Sequence, residues 1–307
     1  MHSGDYMNGI INVLKPPGMT SHDIVNFIRK KLKIKRVGHT GTLDPNAAGV
    51  LPICIGKATR VVQYFDDFSK SYRAELTLGY ETDTQDKYGE IINRKAIPDI
   101  TSDELEQVFN EFKGKIQQIP PMYSALKHNG KKLYELAREG KTVERKPREI
   151  IIHNISIIKN YDNKRVLFDV ECSKGTYIRT LCNDIGKRLG SLGCMTFLVR
   201  TQVGDFKIEN AYTIEEIEEY ISNGRLSSIM MPLDSVLKHH KLVKLDQKFY
   251  DILKNGGKIK LSDHNYKFNS ESHRGEIRVY CDDIFIGMGL VEETAEGTIL
   301  KMDKVFI

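Results

Sequence analysis

With 307 residues, 40% hydrophobic and 28% charged side chains, and a formal net charge of +5, the chain carries enough apolar surface for an ordinary core, and its length points to a large domain plus a small one. No run approaches the roughly 20 apolar residues of a membrane span, and the opening MHSGDYMNGI lacks the basic-then-apolar order of a leader, so a cytoplasmic protein away from membranes is expected. Cys54, Cys172, Cys182, Cys194 and Cys281 form no CxxC pair and have no histidine at zinc-ligand spacing. They read as reduced, mostly buried thiols rather than a disulfide frame or a metal site.

GIINVLKPPG predicts a strand running into a Pro-Gly turn, after which Ser21 caps an amphipathic helix with Ile24, Val25, Phe27, Ile28 and Leu32 on its apolar side. YRAELTLG alternates as a half-buried strand, and the turn-rich TDTQDKYG should fold it back onto GEIINR as a hairpin. Thr101 to Glu104 spell a capping box ahead of Leu105, Val108, Phe109 and Phe112 at helical spacing. Residues 113–148 then hold ten Lys/Arg against three acids, a local charge of +7 that exceeds the whole-chain value. With QIPPMYSALK too irregular for a standard element and a short helix near Lys132 to Glu139, this window reads as an insertion. Its charge serves either as a solvated face or as a phosphate-binding surface.

EIIIHNISII and RVLFDVECS predict two strands, GTYIRTLCNDIGKRLG a helix closed by Gly190, FLVRTQVGDF another strand, and Thr213 with Glu216 a capped helix. The irregular alternation fits an α+β fold, a large mixed and mainly antiparallel sheet with flanking helices, better than a doubly wound one. From 232 onward a helix at Asp246 to Lys254 and short strands at EIRVYC, IFIGMGL and TILKMD mark a small β-rich domain, with 1–231 as the main domain.

Several tempting motifs fail on their own terms. GKAT at Gly56 lacks the glycine and hydroxyl positions of a phosphate loop, and SALK at Ser124 has no companion motif for Ser/Lys acyl transfer. ETDTQD misplaces the glycine and final glutamate of a calcium loop, and His239-His240 has no acidic or thiol companion, so no metal is expected.

GHTGTLDPNAAGVLP surrounds one acid, Asp44, with two prolines, glycines and other small residues, leaving little but backbone and carboxylate to meet a ligand. Taken alone, it is either an Asp-Pro turn or a catalytic site. The run resembles the active-site motif of the TruB-type pseudouridine synthases. KPPGMTS at Lys15, KSYRAELTLG at Lys70, QIPPMYSALKHNGKKLYELAREG at Gln118 and GTYIRTL at Gly175 resemble further motifs of that family in the same order. Together they cover most of residues 9–205.

The resemblance implies isomerisation of uridine 55 in the T arm of tRNA, a reaction that needs no redox cofactor and no metal but does need a nucleophilic carboxylate. Asp44 is that residue by resemblance, with attack on the anomeric carbon and on the pyrimidine ring both open. Arg179 would keep it ionised, and Tyr72 would stack on the base and help remove its ring proton. His39, on an expected exposed tip between Gly38 and Gly41, would support extrusion of the base. Leu198 resembles an apolar pocket residue and is equally a buried strand leucine. Lys15 either supports the active-site loop or contacts RNA. The insertion, through Tyr123, Lys127, Lys131 and Lys132, would hold the T stem-loop by stacking and phosphate contacts, and the C-terminal segment stands where the family has a PUA-type RNA-binding domain. A monomer acting on tRNA without guide RNA or protein partner is the main expectation. A guide-dependent relative and a tRNA-folding chaperone are the rivals.

Overall fold

A computed structural model describes residues 7–261, 275–295 and 297–307. Residues 1–6, within the opening read above for a leader, lie outside the described residues. β1 (Gly9–Lys15) is buried along almost its whole length and ends in the Pro-Gly turn, from which α1 (Ser21–Leu32) departs. Its cap is Thr20, not Ser21: the Thr20 hydroxyl accepts from the Asp23 amide while the Asp23 carboxylate returns to the Thr20 amide, a complete capping box. Ser21 is left free for a different task, described below.

β2 (Val37–His39) and β3 (Ala48–Ile55) bracket the Asp44 loop. The segment Gly56–Asp67, assigned no regular element from the sequence, winds as tight 3₁₀ turns and buries Val61, Tyr64 and Phe65. β4 (Lys70–Leu78) follows, and β5 (Tyr80–Thr82) pairs with β6 (Ile91–Arg94). The expected hairpin is therefore shorter than YRAELTLG implied. Gly79, at φ +98°, breaks the strand, so β4 stays in the main sheet and β5 alone folds back onto β6.

α2 (Ser102–Glu111) carries the Thr101 capping box as expected and leads into β7 (Gly114–Gln118). Because β7 pairs with β10 (Arg148–Tyr161), residues 114–118 belong to the main sheet. What projects from it begins at 119 and contains β8 (Lys127–His128), β9 (Lys131–Lys132) and α3 (Leu133–Arg138). β11 (Arg165–Cys172), α4 (Ile178–Arg188), β12 (Gly193–Val203), β13 (Phe206–Lys207) and α5 (Ile214–Ser222) complete the main domain.

The main sheet runs β1-β3-β12-β4-β11-β10-β7, with β2 on β3 and β13 on β12. Only the β12–β3 pair is parallel, so the mixed, mainly antiparallel expectation holds. α2 and α4 cover one half, packing Leu105, Phe109, Leu181 and Ile185 against Leu76, Phe168 and Ile152. α1 and α5 cover the other, with Ile24, Ile28 and Ile217 against Ile11, Leu51 and Ile53. At roughly 1.5–3 kcal/mol for each fully buried large apolar side chain, these two layers supply the bulk of the fold's hydrophobic stabilisation.

The C-terminal domain is a separate five-stranded sheet, ordered β14 (Leu242–Leu245), β16 (Glu276–Cys281), β17 (Ile284–Thr294), β18 (Gly297–Val305) and β15 (Lys258–Lys260), with α6 (Tyr250–Lys254) packed on it. The predicted helix is shorter than expected, because Gln247–Phe249 forms a 3₁₀ turn before it. Met288 and Phe306 pack against Tyr64, Phe65 and Phe206 of the main domain in one shared core. All five cysteines are free and buried. Among the described residues no helix is long and apolar enough to cross a membrane.

Candidate active site

The loop between β2 and β3 is held from below by the turn that follows β1. Lys15, fully buried, donates from Nζ to the carbonyls of Pro16 (2.8 Å), Met19 (2.6 Å) and Pro45 (3.0 Å), and the Gly18 amide donates to the same Pro45 carbonyl at 2.9 Å. Ser21, released from capping, accepts from the Leu43 amide at 2.9 Å. KPPGMTS and TLDPNAA are thus two halves of one structure, and of the two roles open for Lys15 the geometry favours holding the loop. Burial pushes the Lys15 ammonium down to about 8, with the charge of nearby Asp44 opposing that shift.

Asp44 projects from this support toward Arg179 in the first turn of α4. Arg179 Nε meets Asp44 Oδ2 at 2.9 Å and its Nη2 meets Oδ1 at 3.3 Å, a two-pronged pair. The arginine side chain is 5% exposed while that of Asp44 is 38% exposed, so the cation is sunk in protein and the carboxylate opens to solvent. Gly175, at φ +79°, turns the chain into α4 and aims Arg179 inward. The same guanidinium donates to the carbonyls of Thr84 and Tyr123, each at 2.9 Å, and stands 4.0 Å from Asp86. One side chain therefore ties the Asp44 loop, the β5–β6 turn and the root of the insertion together. Neither Thr84 nor Asp86 was singled out as a site residue from the sequence, because their segment reads as a hairpin turn until α4 is packed beside it.

Tyr72 stands on β4 with its side chain almost wholly buried, and burial pushes its phenol up. The charge and hydrogen-bonding approach of Arg200 pull the other way, and Asp44 is near enough to be felt. Leu198, two residues before Arg200 on β12, is half-buried against the core that contains Tyr72 and Leu43.

His39 is not on an exposed tip. It is the last residue of β2, half-buried and paired with Ile53, because GHTG continues the strand before it turns. Its Nδ1 accepts from the Gly41 amide at 3.3 Å, and burial followed by the charge of Arg200 lowers its pKa, favouring the neutral ring.

Tyr123 meets the site through its carbonyl, while its hydroxyl donates to Asp83 at 3.0 Å. Lys127 and Lys131 are exposed, Lys131 facing Glu139 at 3.4 Å, and Lys132 lies over the Tyr134 ring. A cleft of about 380 Å³ between the projecting segment and the start of β10 is lined by Lys127, His128, Arg145, Lys146 and Arg148 together with Glu144 and the apolar Pro120, Leu126 and Leu133. It is a basic recess apart from Asp44. Among the described residues no group of three or more His, Cys, Asp or Glu could hold a metal ion.

The mixed sheet with its flanking helices and C-terminal β domain has counterparts among solved structures. A structure described as a Cbf5-Nop10-Gar1 complex matches with a TM-score of 0.72 at 28% identity, over 97% of this chain and 85% of that one. A second, an H/ACA RNP bound to a substrate RNA containing 2′-deoxyuridine, matches with a TM-score of 0.71 at 26% identity, over 100% of this chain and 86% of that one. The fold class is that of a pseudouridine synthase.

A model of the TruB family pseudouridylate synthase N-terminal domain matches residues 29–178, and one of the tRNA pseudouridylate synthase B C-terminal domain matches residues 179–238. The tRNA pseudouridine synthase B of Alkaliphilus oremlandii is 50% identical over 93% of both chains, and that of Clostridioides difficile is 45% identical over 98% of this chain and 100% of its own. The chain belongs to the TruB family of pseudouridylate synthases and is an enzyme of that isomerase class.

Proposed function

We propose that this enzyme converts uridine 55 in the T arm of tRNA to pseudouridine, unaided by a guide RNA, with Asp44 as nucleophile. The observation that carries the reading is the Asp44–Arg179 pair. A nucleophilic carboxylate must be held in one orientation, and a buried guanidinium two-pronged on it provides for that without blocking its open side.

The isomerisation breaks the N1–C1′ bond, turns the uracil and forms a C5–C1′ bond. The proton leaves C5 and one is gained at N1, so nothing is oxidised and no cofactor is required. In this reading Asp44 forms and releases the transient covalent bond, Tyr72 packs on the base and assists loss of the C5 proton, and Leu198 closes the apolar side of the pocket. His39, neutral and at the edge of the loop, braces the strand from which the base has been drawn. The basic residues of the insertion, Lys127, Lys131 and Lys132 with Tyr123 at its root, bind the stem-loop, and residues 232–307 form a PUA-like unit that adds RNA contacts. The enzyme acts as a monomer in this scheme.

Curated tRNA pseudouridine synthases B match nearly the whole chain at 44–50% identity, whereas the RNP structures match at 26–28%, which favours the unguided reading. The test is tritium release from a T-arm minihelix labelled at C5 of its uridines, with pure protein and no other RNA. Release of one tritium per helix is expected, and none would favour a guide-dependent or chaperone role.

A further inference from the structure

Arg200 is among the largest side chains in the protein to be fully buried, at 1% exposure, and nothing in the reaction scheme above uses it. Its place is set by three strands. On β12 it lies directly across from Tyr72 of β4 and, on the other side, from Gly49 of β3. β3 approaches closely because Gly49 has no side chain: a Cβ there would stand 2.2 Å from the Arg200 carbonyl oxygen. From this position the guanidinium donates Nε to the Val50 carbonyl at 2.8 Å and Nη2 to the Gly41 carbonyl at 3.2 Å. Val50 and Gly41 flank the loop that carries Asp44, so the bonds bridge its entry and exit.

Neither carbonyl carries a formal charge, so the cation is kept in the core without being neutralised by these partners. A buried cation held this way is costly as a purely structural device, since an apolar side chain of similar volume would pack there at lower cost. Its field reaches the titratable groups of the site: Lys15, Lys70 and His39 are each pushed down by burial first and less by Arg200, and the Tyr72 phenol, raised by burial, is drawn down by it, with Cys172 and Asp44 acting the other way.

We propose that Arg200 is a positioning residue for the isomerisation, spanning the two ends of the Asp44 loop and the Tyr72 side chain so that nucleophile and phenol keep one spacing across the base. The proposal rests on the roles given above to Asp44 and Tyr72. Arg200 acts through them and through the loop backbone, not on the substrate. A planar fork meets two divergent carbonyls at once, which the single ammonium of a lysine does with poorer geometry.

The experiment compares Arg200→Lys and Arg200→Gln with the parent in single-turnover tritium release at saturating minihelix, alongside RNA affinity by filter binding and thermal unfolding. Misplacement of catalytic groups by about 1 Å costs on the order of 100-fold in rate. The expected order is parent, then Arg200→Lys at about ten-fold slower, then Arg200→Gln at about 100-fold slower, with affinity within about three-fold for both. Parental single-turnover rates in both variants would overturn the proposal, as would a rate loss matched by an equal loss of affinity. Should Arg200→Gln fail to fold, the lysine variant decides alone, and a parental rate there counts against the role. Tyr72→Phe, measured beside them, separates the underlying reading: a parental rate in it with a slow Arg200→Gln would remove Tyr72 from its task while sustaining Arg200's hold on the Asp44 loop.

Discussion

Replacing Asp44 by Asn changes one oxygen to an amide nitrogen and leaves shape, volume and backbone untouched. The carboxamide has no anionic oxygen to attack with, so single-turnover tritium release should fall by at least about 10⁴-fold. Stability should respond far less. Arg179 keeps the carbonyls of Thr84 and Tyr123 at 2.9 Å each and Asp86 at 4.0 Å, so its guanidinium is not stranded when the carboxylate is gone. Because the Asp44 side chain is 38% exposed, solvent already screens part of the pair. A cost of about 1–2 kcal/mol follows, read as a modest drop in unfolding midpoint. RNA affinity should hold within about three-fold, since phosphate contacts rather than the acid position the substrate. The assays are tritium release, filter binding and thermal unfolding on one preparation. A variant that turns over within ten-fold of the parent would refute Asp44 as nucleophile, and one that loses affinity and turnover together would refute the separation of binding from chemistry.

Lys15→Met removes the ammonium that bonds the carbonyls of Pro16, Met19 and Pro45, leaving Pro45 its Gly18 amide, and should destabilise the protein by about 2–4 kcal/mol, measured by denaturant unfolding. In the parent, the folded state releases the Lys15 proton near 8 whereas an unfolded lysine holds it to about 10.5. The unfolded chain therefore binds more protons between those values, so this group makes folding relatively more favourable as pH rises from 8 to 10.5; that increment should be missing from Lys15→Met in a pH series. Gly49→Ala places a Cβ 2.2 Å from the Arg200 carbonyl oxygen at φ +119°, and a loss of roughly 2–4 kcal/mol by thermal unfolding is expected. Replacing Lys127, Lys131 and Lys132 together by Ala should weaken minihelix binding and flatten the log–log salt slope by roughly 0.7–0.9 for each phosphate no longer neutralised, with an unchanged slope assigning these lysines to a solvated face.

The elements with strong local signals were legible from the chain alone: the Thr101 and Thr213 capping boxes, the strands at 148–161 and 165–172, and the helix that closes at Gly190. The Asp44, Tyr72 and Arg179 candidates came from the resemblance of GTLDP, KSY and GTYIR to family motifs, and the structure brings Asp44 and Arg179 into contact. Less legible were features set by competition between neighbours. Thr20 rather than Ser21 caps α1, since the Ser21 hydroxyl is taken by the Leu43 amide, 22 residues on. Residues 114–118 look like part of a basic insertion until β10 offers them a strand to pair with.

What the sequence by itself determined is the set of local conformations and the inventory of groups, because caps, turn glycines and apolar periodicity act over a few residues. What only the tertiary structure decided is which of those groups meet. Arg179 reaches across 135 residues to Asp44, and Arg200 across 150 and 159 to the two ends of its loop. Those partnerships depend on β12 lying between β3 and β4 and on α4 packing over that sheet. No local pattern encodes such an order; it follows from how the whole chain buries its apolar faces.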